Sequence, residues 1–212
     1  MTPRGDAEMH YTLSRDGAAL IVSLESPDGR NCLTRAKVEQ LTEEINGFSE
    51  GPLPVLPLII TGNDHFFSAG ADLKEIAALS GAQAFAFARM GQRLMQAIAD
   101  RPAPVIAAIS GYCMGGGLDL ALACHQRIAA PNAIFGHRGA ALGIMTGWGG
   151  TQRLSRLIGK SRALQMFLAA EKLHAKDALS VGMIDRIDPD PVRAALALLP
   201  SNVQRPTSAL LS

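Results

Sequence analysis

The sequence predicts an α/β fold, on three observations. An apolar run from Pro104 to Ile109 reads as a buried strand; Ser110-Gly111, the glycines Gly115, Gly116 and Gly117, and then Leu118, Leu120, Ala121 and Leu122 follow it and read as a turn and a helix. A second apolar run, Leu58-Ile59-Ile60, likewise precedes a helical region running from Leu73 to about Asp100. Strands alternating with helices pack as a sheet covered by helices. The glycine stretch organises the rest, because a helix that starts after it points free N–H groups and a partial positive charge outward. Such a turn can hold an anion or stabilise charge developing in a reaction. Asp119 stands in the first turn of that helix. Taken alone, the stretch is equally compatible with a plain helix start whose acid complements the macrodipole.

In chain order, Met9 to Ser14 and Ala18 to Leu24 read as two strands joined at Asp16-Gly17, a strong hairpin pair. Ser26-Pro27-Asp28-Gly29 ends the second. Thr34 reads as the N-cap of a helix from Arg35 to about Gly47, with Val38, Leu41 and Ile45 on one face. Gly51 to Pro57 is a proline-rich connection, and Thr61 to Asp72 reads as a loop. Gly81 interrupts the long helical region and is placed to split it. Phe85, Phe87, Met90, Leu94 and Met95 form its expected core or pocket-wall stripe. Arg127 to Ala130 and Ala133 to Phe135 read as short strands, and Gly143 to Gly150 as a second glycine-rich loop. Thr151 to Leu157 and Ser161 to Ala170 read as helices separated by Gly159. Ala175 to Ser180 is a helical turn closed by Gly182, Met183 to Ile187 a short strand, Ala194 to Leu199 a weak helix, and the stretch after Pro200 a loose tail. No repeat recurs at a fixed period.

Composition bounds the function classes. The 212 residues suffice for one sizeable domain, and 48% hydrophobic with 18% charged residues is ordinary globular usage. A net charge of +1 gives no basis for a nucleic-acid partner, and no apolar run reaches membrane-spanning length. Met1 to His10 carries no apolar signal-peptide core. Cys32, Cys113 and Cys124 form no C-x-x-C pair, so reduced thiols and a cytoplasmic location are expected. The histidines show no ligand spacing, so no metal site is expected. The glycine stretch is neither G-x-G-x-x-G nor a phosphate-binding P-loop; Gly159-Lys160-Ser161 ends like one, but Leu154 stands where the earlier glycine is required.

Four segments, in this order, carry a resemblance: Ser26-Pro27-Asp28-Gly29-Arg30-Asn31; Phe66-Phe67-Ser68-Ala69-Gly70-Ala71-Asp72-Leu73-Lys74; the stretch Ile109 to Cys124; and Gly147-Trp148-Gly149-Gly150-Thr151-Gln152-Arg153-Leu154. Together they resemble the crotonase superfamily, also called the enoyl-CoA hydratase/isomerase family, over about Tyr11 to Ile187. The resemblance implies a spiral of repeated strand-strand-helix units, a homotrimer or dimer of trimers, and an acyl-CoA thioester as ligand. No resident cofactor is implied, coenzyme A being part of the substrate. It implies that the backbone N–H groups of Ala71 and Gly116 hold the thioester carbonyl oxygen. It also implies that the backbone at Gly29, Arg30, Ala69, Asp72 and Leu73 holds the CoA moiety, with Arg30 beside a phosphate. Residues 1–190 are then the acyl-CoA-binding core and residues 191–212 a shortened C-terminal helix and tail, where the family continues into further helices.

Two positions depart from the family pattern. Hydratases of this family use two glutamates; Asp119 occupies the position of the first and Gly139 that of the second. His137, close to the missing acid, titrates near neutrality and is a rival or auxiliary base, though a hydrogen-bonded structural histidine is the plainer reading. Trp148 either lines the acyl pocket or fills the core. The expected activity is that of an enoyl-CoA hydratase-like lyase with Asp119 moving protons. The alternatives are another reaction of the family, decarboxylation or isomerisation, or a non-catalytic acyl-CoA-binding subunit.

Overall fold

A computed structural model describes residues 11–16, 19–48 and 55–199. The start of the first expected strand, the Gly17 turn position, most of the proline-rich connection and the tail from Pro200 lie outside the described residues. Strands β1 (Tyr11–Asp16) and β2 (Ala19–Leu24) pair antiparallel, with Asp16 opposite Ala19. From β2 the sheet continues in parallel through β3 (Leu58–Thr61), β5 (Val105–Ile109), β7 (Gln126–Ala129) and β10 (Arg186–Ile187). A second sheet runs β4 (Phe66–Ser68), β6 (Tyr112–Met114), β8 (Ile134–Gly136) and β9 (Lys172–His174), the last antiparallel.

The path between the sheets is the expected spiral. β3 feeds β4, and helices α2 (Leu73–Ala77) and α3 (Gly81–Ala99) return the chain to β5. β5 feeds β6, and α4 (Gly116–Ala123) returns it to β7. β7 feeds β8, after which come a single 3-10 turn (Gly139–Leu142), α5 (Gly150–Ile158) and α6 (Lys160–Ala169). The return segments differ greatly in length, which is why no repeat period is visible in the sequence.

β5 is buried along its whole length, as a central parallel strand should be. Its side chains alternate between two cores. Val105, Ala107 and Ile109 join the large cluster that includes Val38, Leu41 and Ile45 of helix α1 (Arg35–Gly47), together with Leu94 and Ile98. Ile106 and Ala108 face a smaller cluster closed by Ala194 and Ala195 of helix α8 (Pro191–Leu198). Thr34 caps α1 by accepting from the Lys37 N–H at 3.3 Å. Ser80 and Gln83 form a reciprocal capping box that starts α3 at Gly81, so the helical region breaks at Ala78 to Ser80, just before the glycine expected to split it.

The structure corrects several sequence expectations. The loop expected over Thr61 to Asp72 contains β4, and the expected direct passage from strand to glycine turn contains β6. β9 was not anticipated. Each has three residues, too few for alternation to register. The strand expected over Met183 to Ile187 is only β10, with Met183 and Ile184 buried outside it. The last helix begins at Pro191, not Ala194, because Asp190 caps it by accepting from the Arg193 N–H at 3.0 Å. Phe85 is 71% exposed and leaves the core stripe. The buried row of α3 is Phe87, Met90, Leu94, Met95 and Ile98, and Phe85 falls off its i, i+3, i+4 spacing. No described helix is long and apolar enough to cross a membrane.

Candidate functional site

The site is assembled where β4 ends and α4 begins. Asn31, buried at φ 55, ties the Ser26–Asn31 segment to β4: its Nδ2 donates to the Phe66 carbonyl at 2.8 Å, and Ser68 Oγ donates to its carbonyl at 2.7 Å. The Ala69 N–H donates to the Arg30 carbonyl at 2.9 Å, and Asn63 Nδ2 to that of Gly29 at 2.7 Å. The segments expected to hold CoA are therefore neighbours in space although far apart in sequence. Asp72 caps α2, accepting from the Lys74 N–H at 2.7 Å. The side chain of Arg30 is exposed, 3.7 Å from Asp28.

The Ala71 and Gly116 amides lie side by side. A Cβ added to Gly116 would stand 3.2 Å from the Ala71 nitrogen, and one added to Gly70 would stand 2.9 Å from the Gly116 nitrogen. Gly116 is the first residue of α4, so its N–H has no carbonyl one turn earlier within the helix. Ala71 bridges to Leu33, but that bridge uses the Leu33 N–H and the Gly70 carbonyl, at 2.8 Å, and leaves the Ala71 N–H out. The close approach depends on residue size, because a Cβ on Gly116 would also meet the Trp148 ring at 2.5 Å.

One turn into α4, Asp119 is fully buried. Thr146 donates its hydroxyl to Asp119 Oδ2. His137, 4% exposed, brings Nε2 to 3.3 Å from Asp119 Oδ1. The contact meets an ion-pair distance, yet it is not aligned as a hydrogen bond, and both atoms lack a partner. We read the pair as a neutral imidazole beside a carboxyl. Burial drives His137 down to about 4 and pushes the Asp119 carboxyl up to about 7. The Thr146 hydroxyl and the Arg153 guanidinium hold the carboxyl back from a higher value. Near neutral pH the carboxyl is thus divided between its two protonation states while the imidazole is uncharged. The two facing, unpartnered atoms match a group that donates and accepts at once, such as a hydroxyl or water.

Asp119 and His137 border a cavity of about 420 Å³ with Ala69, Ala71, Gly116 and Trp148. The rest of its wall is largely apolar, supplied by Leu73, Ile76, Phe87, Leu142 and Met145 among others. Trp148 does both things weighed for it: it is 3% exposed and packed on Phe87 with ring centroids 5.3 Å apart, and it faces the cavity. Of the residues expected to bind substrate, Ala69 and Leu73 line the cavity, whereas Gly29, Arg30 and Asp72 lie outside its lining. Gly139 lines it too, and a side chain there would strike the Ile144 carbonyl, 2.4 Å from an added Cβ. His65 is exposed, and His125 accepts from the Val105 N–H at 2.9 Å, away from the site. Among the described residues no group of three or more His, Cys, Asp or Glu is placed to hold a metal.

Sequence reasoning missed Thr146 and Gly150. A Cβ on Gly150 would fall 2.0 Å from Asp119 Oδ1 and 2.9 Å from His137 Nε2, so the loop backbone presses against the pair. Gly150 stands in the Gly147–Leu154 segment that carries the resemblance, and both residues lie in the glycine-rich loop, but neither signal placed them against Asp119.

Comparison with known proteins agrees with this architecture. The enoyl-CoA hydratase/isomerase family profile matches residues 15–199. A probable enoyl-CoA hydratase of Bacillus subtilis (strain 168) is 40% identical over 174 residues, covering 82% of this chain and 67% of that protein. Pseudomonas aeruginosa DspI superposes with a TM-score of 0.85 at 34% identity, over 91% of this chain and 74% of that one. An enoyl-CoA hydratase from Bacillus anthracis gives 0.82 at 34% identity, over 89% and 74%. The two-sheet spiral, the paired amides at the start of α4 and a match spanning nearly all the described residues lead to one assignment: the chain belongs to the enoyl-CoA hydratase/isomerase family of enzymes.

Proposed function

We propose that this chain hydrates a 2-enoyl-CoA thioester. The observation that carries the reading is the placement of Asp119 and His137 at one wall of an apolar cavity whose rim presents the adjacent Ala71 and Gly116 amides. The thioester oxygen accepts from those two amides, and the acyl chain lies along the apolar wall. The backbone at Gly29, Arg30, Ala69, Asp72 and Leu73 carries the CoA moiety at the mouth. Ionised Asp119 takes a proton from water as its oxygen bonds to C3. The electrons of the C2–C3 double bond move toward the thioester, and the resulting enolate oxygen is held by the two amides. The proton then passes from Asp119 to C2, which restores the carboxylate. One such backbone donor is typically worth roughly 3 kcal/mol in the transition state. Neutral His137 holds the water against Asp119 where the family pattern has a second acid and this chain has Gly139.

A panel of acyl-CoA thioesters read by mass spectrometry tests this. The expected result is that an enoyl-CoA gains one water. Loss of carbon dioxide from a malonyl-type thioester, without hydration, would replace the reading with decarboxylation, and shift of the double bond alone with isomerisation. Binding without turnover of any thioester would favour a non-catalytic subunit.

The reading extends to assembly as a homotrimer or dimer of trimers. Leu164 and Leu168 support it, four apart on α6 and each more than half exposed. Adjacent large apolar side chains on one exposed helix face are the kind of contiguous patch that another chain covers. Light scattering is expected to give a trimer or hexamer mass, and a strictly monomeric mass would remove this part of the proposal.

A further inference from the structure

A second cavity, of about 490 Å³, opens between α3 and α5 and is lined by four arginines, Arg89, Arg93, Arg153 and Arg156. Arg89 and Arg93 stand four apart on α3, and Arg153 and Arg156 three apart on α5, so each helix turns two guanidiniums to the same side. The other lining residues are three glutamines and Gly149; none is an acid. The chain as a whole carries only +1, so this concentration of charge is local. Burial is the main cost of keeping Arg153 charged; Asp119 offsets part of it and the neighbouring Arg156 adds to it. The acids that act on Arg153 are Asp119 and Asp100, the latter also accepting from Gln96 Nε2 at 2.7 Å. Arg153 is braced by backbone carbonyls, donating to those of Trp148 and Met95 at 3.3 Å each, while Arg89, Arg93 and Arg156 are exposed to the cleft.

Four guanidiniums gathered along one cleft present a set of N–H donors that a single polyanionic group can join. The planar fork of arginine matches phosphate oxygens two at a time. The volume lies in the range of small-molecule pockets and exceeds what a single ion fills. We propose that the α3–α5 cleft is a second ligand site, separate from the acyl cavity, that takes a small molecule carrying a di- or triphosphate group. The source is either a nucleotide or inorganic pyrophosphate, which share this chemistry; coenzyme A, the remaining diphosphate carrier, has its expected place at Gly29, Arg30 and Ala69. The proposal does not depend on the hydration reading, and its test needs no turnover.

The test is calorimetric titration at low salt of the full chain with pyrophosphate, ATP and CoA in turn, beside the double variant Arg93→Gln/Arg156→Gln. Arg153 is kept because it braces Trp148. The expected result is that pyrophosphate or ATP binds the parent with one equivalent per chain and that the double variant loses roughly tenfold or more in affinity. CoA affinity should stay the same in both. The melting temperature of the variant, equal to or above that of the parent, shows that the fold is intact. Binding of neither phosphate compound to the parent, or equal binding to both proteins, overturns the proposal. So does a parallel loss of CoA affinity in the variant, which would make the cleft part of the CoA site. A variant that changes mass in solution while the parent binds no phosphate would make the cleft a protein interface and would also overturn it.

Discussion

Asp119→Asn is expected to lower kcat by about 10²–10⁴-fold, the usual worth of general acid–base catalysis, and to leave CoA binding in place. The shape is kept: Asn can still accept from Thr146, and its amide can donate to His137 Nε2. The same change is expected to stabilise the protein above pH 7. Burial raises the folded-state pKa of Asp119 from 3.8 to about 7, so the folded chain binds more protons between those values. Its favourable share of stability is complete below about pH 4 and is lost as pH rises through 7. Each tenfold in acid strength is ~1.4 kcal/mol, so the ionised carboxylate costs at most ~4 kcal/mol. The variant should therefore match the parent at pH 4 and exceed it by a few kcal/mol at pH 8, read by urea denaturation. His137 acts at the other end: its folded pKa is lowered from 6.5 to about 4, so its cost appears as pH falls below 6.5 and is common to both proteins. An Asn variant that turns over at the parent's rate while His137→Gln is inactive would transfer the proton to the histidine. An Asn variant no more stable at pH 8 would mean that Asp119 is not held against its burial.

Gly111→Ala is expected to cost more than ~3 kcal/mol of stability, by combining backbone strain with overpacking. Gly111 joins β5 to β6 at φ 61, and an added Cβ would lie 2.0 Å from the His65 carbonyl oxygen. That oxygen accepts from the Tyr112 N–H at 2.9 Å, and the Gly111 carbonyl accepts from Ile134 at 2.9 Å. The substitution thus forces apart the crossing point from which all three parallel strands of the second sheet are hung. Urea denaturation and the yield of soluble protein measure it. A loss under ~1 kcal/mol would show that the corner relaxes freely.

Much of this architecture could be read from the chain because its signals are local. Thr34 announces α1 by its cap, Gly81 marks the start of α3 after α2, and Gly159 parts α5 from α6. The strands β4, β6 and β9 escaped because three residues hold no period. Their existence depends on hydrogen bonds to segments tens of residues away. The same division holds at the site. Asp119 and the glycines before it stand out in the sequence, and His137 was singled out by its nearness to the position of the second acid. Thr146 and Gly150 matter only because the loop after β8 folds back onto α4, a contact that no local pattern encodes. Phe85 is the converse case, a residue that looked like core by composition and lies off the buried row.

Trp148 is the chain's only tryptophan. Its indole lies where a Cβ on Gly116 or Gly91 would collide with it, at 2.5 Å and 2.2 Å, and its Nε1 donates to the Phe87 carbonyl at 3.3 Å. The protein therefore carries a built-in optical probe. Emission excited at the red edge of the near-ultraviolet comes from a single ring held between α3 and the start of α4. A ligand filling the cavity that this ring lines would change the packing and polarity around it, so the expected result of occupancy is a shift in its emission maximum or lifetime without any label.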